Sequence, residues 1–365
     1  MSQAVLAALQ KHLGDFIVPY TAARLGEGGS TFEIGPDPAA PQVSIELGFP
    51  AARSGPDLVA ALTAHCDELS LPTPPEFSVT WSIEPHSVQH GLKPLDGISN
   101  VIAVASGKGG VGKSTVAVNL CLALAQEGAS VGILDADIYG PSQPRMLGLT
   151  GERPTTQDGK TLDPLEAHGV KAMSIGFLVD DRKPMVWRGP MVTSALNQLL
   201  TDTRWGELDY LLVDMPPGTG DIQLTLSQRV PVSGVVIVTT PQEIAVADAR
   251  KGLEMFQKVN VPVLGIVENM SVHVCSSCGH EDPIFGRSGG ERLAAEYELP
   301  LLGALPLTRQ IGEQTDQGTP TVVAEPDGAV AQAYRRIALR TAGELAATVK
   351  DYSSLFPTIT VEEGG

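Results

Sequence analysis

A glycine-rich stretch near the first third of the chain restricts its fold more than any other feature. Gly107-Lys108-Gly109-Gly110-Val111-Gly112-Lys113-Ser114 fits the spacing G-x-x-x-x-G-K-S/T. The apolar run Val101–Ala105 precedes it, and Ser114–Glu127, spaced as a helix, follows it. Glycines let a backbone curl until its N–H groups point inward at phosphate oxygens. The helix that follows aims its positive N-terminus at the same anion. Lys113 is placed for the β- and γ-phosphates, Ser114 offers a hydroxyl to Mg²⁺, and Thr115 reaches the α-phosphate. The expected ligand is ATP with Mg²⁺, and the expected reaction is its hydrolysis.

The pattern beyond the loop fits this reading. Ser130–Leu134, Leu208–Val213, Val235–Thr240, Val263–Val267 and Leu301–Leu305 are apolar runs, separated by helical stretches such as Ile244–Val259 and Gly289–Glu298. Strands alternating with helices predict an α/β fold, a mostly parallel sheet with helices on both faces, over residues 100–350. A last helix is expected at about Ala329–Val349, before an acidic tail at 351–365. Residues 1–85 read as a small α+β unit, with helices at Ala4–Leu13 and Leu58–Leu71 and strands at Val43–Leu47 and Phe77–Ile83. The Pro- and Gly-containing segment 86–99 reads as a linker.

Two acids complete the expected nucleotide site. Asp137 lies just past the second strand of the α/β unit, and Asp214 closes the run Tyr210-Leu211-Leu212-Val213. An acid at the carboxyl end of a buried strand faces the ligand crevice of an open α/β sheet. There it can hold Mg²⁺ or orient the attacking water. Acids in this position also serve as helix N-caps.

Composition narrows the partners. The formal charge of −17 opposes phosphate backbones, so neither DNA nor RNA is expected as a partner. No run approaches the roughly 18 apolar residues of a membrane helix. No membrane association and no signal peptide are expected. Four cysteines in 365 residues make no disulfide framework. A reducing, cytoplasmic setting is the expectation.

Lys108, directly after the first glycine of the loop, is an unusual second lysine. Together with Asp135-Ala136-Asp137 and Asp214-Met215-Pro216-Pro217-Gly218 it resembles the deviant Walker A ATPases, the MinD/ParA/nitrogenase-iron-protein group. In that group the signature lysine reaches the partner's nucleotide across a dimer, so that ATP acts as a clamp. Within the group the chain is similar to the Mrp/ApbC-type iron–sulfur cluster carriers. The stretches GKGGVGKST, DADIYGPSQPRMLG, DMPPGTGDIQLTL, VTTPQEIAVADARKG and VENMS…CSSCG…IFGRSGGERLA carry this over about Ile98–Pro320. The resemblance implies catalytic roles for Lys108, Lys113, Asp137 and Asp214, the last two as switch I and switch II acids. It implies adenine recognition at Asn269 and a cluster, of the 4Fe–4S type, on Cys275 and Cys278. It further implies a homodimer, slow hydrolysis and apo iron–sulfur proteins as acceptors. Many of these carriers begin with a MIP18-like domain. Here Gly14-Asp15-Phe16 and Leu47-Gly48-Phe49-Pro50-Ala51 replace that domain's motifs, so no metal role is expected there.

The pair Cys275-Ser276-Ser277-Cys278 bears directly on function. Clusters and closed zinc sites usually take four ligands, and one chain supplies two. A two-fold dimer brings two copies of one patch together, so four thiolates converge if the pair lies near the axis. Three other readings remain open: a zinc site completed by His273 and His280, a redox dithiol, and inert structural cysteines. The rival to a cluster carrier is a MinD/ParA-like positioning or regulatory ATPase switch with a structural zinc. Cys66 and Cys121, on predicted helices, are expected in the core.

Overall fold

The structure, a computed structural model, describes all residues except 1, 22, 70, 72, 90, 91, 180–188, 276 and 351–365. The expected acidic tail lies outside the described residues.

Alternation sets the N-terminal unit. Helix α1 (Ser2–Gly14) leads to strands β1 (Ser30–Ile34) and β2 (Gln42–Leu47), helix α2 (Gly55–Cys66) and strand β3 (Glu76–Trp81). In β2 every second side chain, Val43, Ile45 and Leu47, is buried. The three strands form one sheet in the order β1-β2-β3, antiparallel then parallel, with α2 as the crossover. Leu9 and Leu13 of α1 and Leu58 and Leu62 of α2 fill the core. His12 and His65 stack 3.9 Å apart, and each Nε2 bonds the other residue's carbonyl, at 2.8 and 3.1 Å. Glu68 lies close enough to make this a possible metal-ligand group. With both Nε2 atoms committed to carbonyls, the pair acts as a clasp between α1 and α2.

From residue 98 the chain builds the nucleotide-binding sheet. Strand β4 (Ile98–Ala105) leads to α3 (Lys113–Gln126), β5 (Val131–Asp135) and α4 (Gln143–Met146). A hairpin of β6 (Leu165–Ala167) and β7 (Val170–Ser174) follows, then α5 (Gly189–Thr201), β8 (Leu208–Asp214), α6 (Asp221–Arg229), β9 (Gly234–Thr239), α7 (Glu243–Lys258) and β10 (Val263–Glu268). A short pair, β11 (His273–Val274) and β12 (Glu281–Asp282), precedes α8 (Gly289–Glu296), β13 (Leu301–Ala304), α9 (Arg309–Asp316), α10 (Thr321–Ala324) and α11 (Ala329–Ala346). The sheet runs β13-β10-β9-β4-β8-β5-β7-β6, parallel except for β6. Its central strands are buried on both faces, so their sequences are largely apolar, interrupted by Ser99 and Asn100 in β4 and by Asp209 in β8. β4 lies in the interior of the sheet between β8 and β9, and the glycine loop leaves its carboxyl end at the crevice where such folds bind ligands.

The two units meet in one continuous buried core. The connecting segment is bound to its surroundings: the His86 N–H and Nδ1 bond Asn100 Oδ1 at 3.1 and 3.0 Å. Gln89 Nε2 donates to the carbonyls of Ser227 and Val230 at the end of α6. The stronger tie is Glu127, fully buried at the C-terminal end of α3. Its Oε2 accepts from the N–H groups of Arg53 and Ser54 and from Ser54 Oγ, at 3.0, 2.9 and 3.0 Å. Glu127→Ala removes that acceptor and leaves the donors buried. It is expected to lower the unfolding free energy by about 2–3 kcal/mol, measured by urea denaturation, with Glu127→Gln losing less.

Candidate nucleotide site and cysteine hairpin

Close packing explains the glycines of the loop. A β-carbon on Gly107 would lie 2.1 Å from the Asp248 carbonyl of α7. Gly112 sits at φ +81°, and a β-carbon there would lie 2.3 Å from Asn269 Nδ2. Gly109 and Gly110 are exposed, while Val111 and Lys113 are buried and Ser114 and Thr115 half-buried in the first turn of α3. The loop is tied to the segment after β8: the Gly218 N–H donates to the Ser106 carbonyl at 3.0 Å.

The charged groups converge behind this loop. The Lys113 ammonium bonds Asp214 Oδ1 and lies 3.2 Å from Ser114 Oγ. Lys113 is 5% exposed and Asp214 is fully buried. Gln143, at the start of α4, donates from Nε2 to Asp214 Oδ2 at 2.9 Å and to the Ser114 carbonyl at 3.1 Å. Sequence reasoning missed Gln143, since nothing in its residue type marks it within a proline-containing turn.

Asp135 is the second buried acid. It accepts from the N–H groups of Ser142 and Gln143 and from Ser174 Oγ, at 2.9, 3.1 and 3.1 Å. Burial and the neighbouring Asp214 push its carboxyl up to about 7. It thereby anchors the segment that carries Asp137. Asp137 is half-buried, and burial raises its carboxyl, against the pull of Lys113. It lines a cleft of about 460 Å³ with Tyr139, Pro216, Pro217 and Gln223.

Two of the remaining expected residues differ in how fully they are held. The side chain of Lys108, half-buried in the loop, makes no hydrogen bond or ion pair among the described residues. Asn269 is 6% exposed, and its Nδ2 donates to the Val111 carbonyl of the loop at 2.8 Å. Ser114, Asp137 and Asp214 together offer hard oxygen donors, the set that suits Mg²⁺. Gln143 Oε1 adds a buried acceptor with no partner among the described residues.

The cysteine pair caps a small hairpin. β11 and β12 pair antiparallel, the Cys275 N–H donates to the His280 carbonyl at 2.9 Å, and the Gly279 N–H donates to the Cys275 carbonyl at 2.8 Å. Cys275 is half-buried and Cys278 exposed, and both are free thiols. The backbone N–H groups of Ser277 and Cys278, with the Cys278 thiol, hold the Cys275 thiol below its ordinary value. This favours the thiolate, the form that ligates metal. By contrast, burial pushes the Cys66 thiol up to about 11 and raises Cys121 as well, and both lie in the core as expected. His273 Nδ1 is engaged with the Leu307 carbonyl at 3.2 Å. Among the described residues, His273 and His280 do not gather with the two cysteines into a ligand group. The pair also sits in a hairpin turn rather than at a helix N-terminus, the usual setting of a redox dithiol.

The family model "ParA: NUBPL iron-transfer P-loop NTPase" matches residues 97–342. The chain belongs to this family. A Pseudomonas fragi relative named iron-sulfur cluster carrier protein is 61% identical over 258 residues, which is 70% of this chain and 90% of the relative. A Haemophilus influenzae protein of the same name is 48% identical over 331 residues, 91% of this chain and 87% of its own, so this match reaches into the N-terminal unit. A solved nucleotide-binding protein from Archaeoglobus fulgidus, in complex with ADP and with cobalt found in it, is 40% identical with a TM-score of 0.57. That comparison covers 64% of this chain and 90% of the other. The fold is that of a P-loop NTPase, as the sequence predicts. Among the described residues, no helix is long and apolar enough to cross a membrane.

Proposed function

We propose that this protein is an ATP-dependent iron–sulfur cluster carrier. Two copies hold one cluster between their Cys275 and Cys278 pairs and deliver it to apoproteins in the cytoplasm. The observation that carries this reading is the hairpin: two accessible thiols, one biased toward thiolate, on a turn joined to the glycine loop. The join is Asn269. Its side chain bonds the Val111 carbonyl, and it precedes Cys275 by only a few residues. Two ligands per chain leave a cluster half-coordinated, and a two-fold dimer supplies the other two. The relatives' shared name, iron-sulfur cluster carrier protein, supports the cargo class. The net charge of −17 opposes nucleic acid as a partner.

At the nucleotide site, the loop's backbone N–H groups and Lys113 hold the phosphates. Ser114, Asp137 and Asp214 would hold Mg²⁺, which would supply positive charge against that on the transferring phosphoryl group. Asp137 orients the attacking water, and Lys108 adds a cation to the partner chain's nucleotide. Asn269 keeps its Oδ1 for the adenine amino group while Nδ2 stays on the loop. Binding of phosphate draws the Lys113 ammonium from Asp214, which frees that acid for the metal. ATP and ADP states then differ in how the two hairpins face each other, and hence in their hold on the cluster.

Anaerobic reconstitution with ferrous iron and sulfide tests the cargo. The expected result is a broad visible absorption with iron and acid-labile sulfide bound in equal amounts. A protein that instead retains zinc through this treatment and takes up no sulfide is a zinc-stapled regulatory ATPase.

A further inference from the structure

We propose that Gln143 is a positioning residue for the magnesium–nucleotide site, one that sets the Asp214 carboxylate against the first turn of α3. The inference rests on the ATP–Mg²⁺ reading above.

Gln143 is 1% exposed, and its amide bridges two parts of the site. Nε2 reaches Asp214 Oδ2 at 2.9 Å and the Ser114 carbonyl at 3.1 Å. Its backbone N–H is in turn fixed by Asp135 Oδ2 at 3.1 Å. One residue thus joins the end of β8 to the residue that follows the phosphate-binding lysine through its side chain, and the end of β5 through its backbone N–H. With Oδ2 held by Gln143, Asp214 keeps its orientation when Lys113 releases Oδ1 for a phosphate.

The other end of the amide argues for a role beyond packing. Gln143 Oε1 is buried and has no partner among the described residues. A buried polar atom left unpaired destabilises a fold, and a leucine or methionine would fill the same space without that penalty. A carbonyl oxygen beside Asp214 and Ser114 is chemically suited to accept from water on a hard cation. Groups that orient metal ligands in this way typically change metal affinity by about 10–100-fold when removed.

The test is binding of a non-hydrolysable ATP analogue to the full chain, titrated with and without Mg²⁺, for wild type, Gln143→Met and Gln143→Leu. Urea denaturation of each variant reports the fold. Wild type is expected to bind more tightly with Mg²⁺. The variants are expected to lose at least about tenfold of that Mg²⁺-dependent gain while their affinity without Mg²⁺ stays at the wild-type value. Variants that keep the full gain overturn the proposal. So do variants whose affinities fall equally with and without the metal, since Gln143 is then a structural prop. Should wild type itself bind no nucleotide, the underlying site reading fails, and this inference fails with it.

Discussion

Replacing Cys275 and Cys278 together with alanine is expected to abolish cluster capture, with neither visible absorption nor bound sulfide remaining after anaerobic reconstitution. Each chain presents only these two thiols at its surface, since Cys66 and Cys121 are buried with raised thiol values. The substitution falls on a half-buried and an exposed residue of a short hairpin. Its effect on the denaturation free energy is therefore expected to stay within about 0.5 kcal/mol. Loss of cluster with an intact fold separates ligation from folding. Each single substitution leaves a dimer with two thiolates, and is expected to fail almost as completely because such a cluster normally needs four.

The second large effect is expected at Lys113. Lys113→Ala removes the cation that neutralises fully buried Asp214, beside an Asp135 already pushed up to about 7. Leaving such a charge unpaired costs about 3–5 kcal/mol. Loss of the cation from the phosphates lowers hydrolysis on the order of 10²–10³-fold. The two losses are separable. Lys113→Ala/Asp214→Asn removes the orphaned charge and is expected to recover much of the stability while hydrolysis stays lost. In the single variant, cluster loading in the cold is expected to persist while transfer to an apoprotein slows. Transfer at the wild-type rate without turnover would contradict the coupling.

Much of this arrangement is legible in the sequence because it depends on short-range rules. The loop needs glycine where α7 and Asn269 approach its backbone. The strands that carry Asp135 and Asp214 are buried on both faces and read as apolar runs, broken in the second only by Asp209 near its start. The hairpin of β6 and β7 gave no such signal: its strands are short, and its turn places His168 and Gly169 both at positive φ. β1 is likewise short, with exposed residues alternating along it. Glu127 and Gln143 are illegible for another reason. Each is a polar residue buried by partners distant in sequence, Ser54 for the one and Asp214 for the other. Local composition cannot reveal that burial. The segment 86–99 reads as a linker from its prolines and glycines, whereas its buried histidine and glutamine tie it to Asn100 and to the end of α6.

Sharing of one cluster by two chains is most directly tested by anaerobic native mass spectrometry of reconstituted mixtures. Wild-type chains and Cys275→Ala/Cys278→Ala chains, distinguished by mass, are combined before iron and sulfide are added. A single cluster is predicted on the wild-type dimer and none on the mixed dimer. A cluster of undiminished occupancy on a mixed dimer, or on a solitary wild-type chain, contradicts the account.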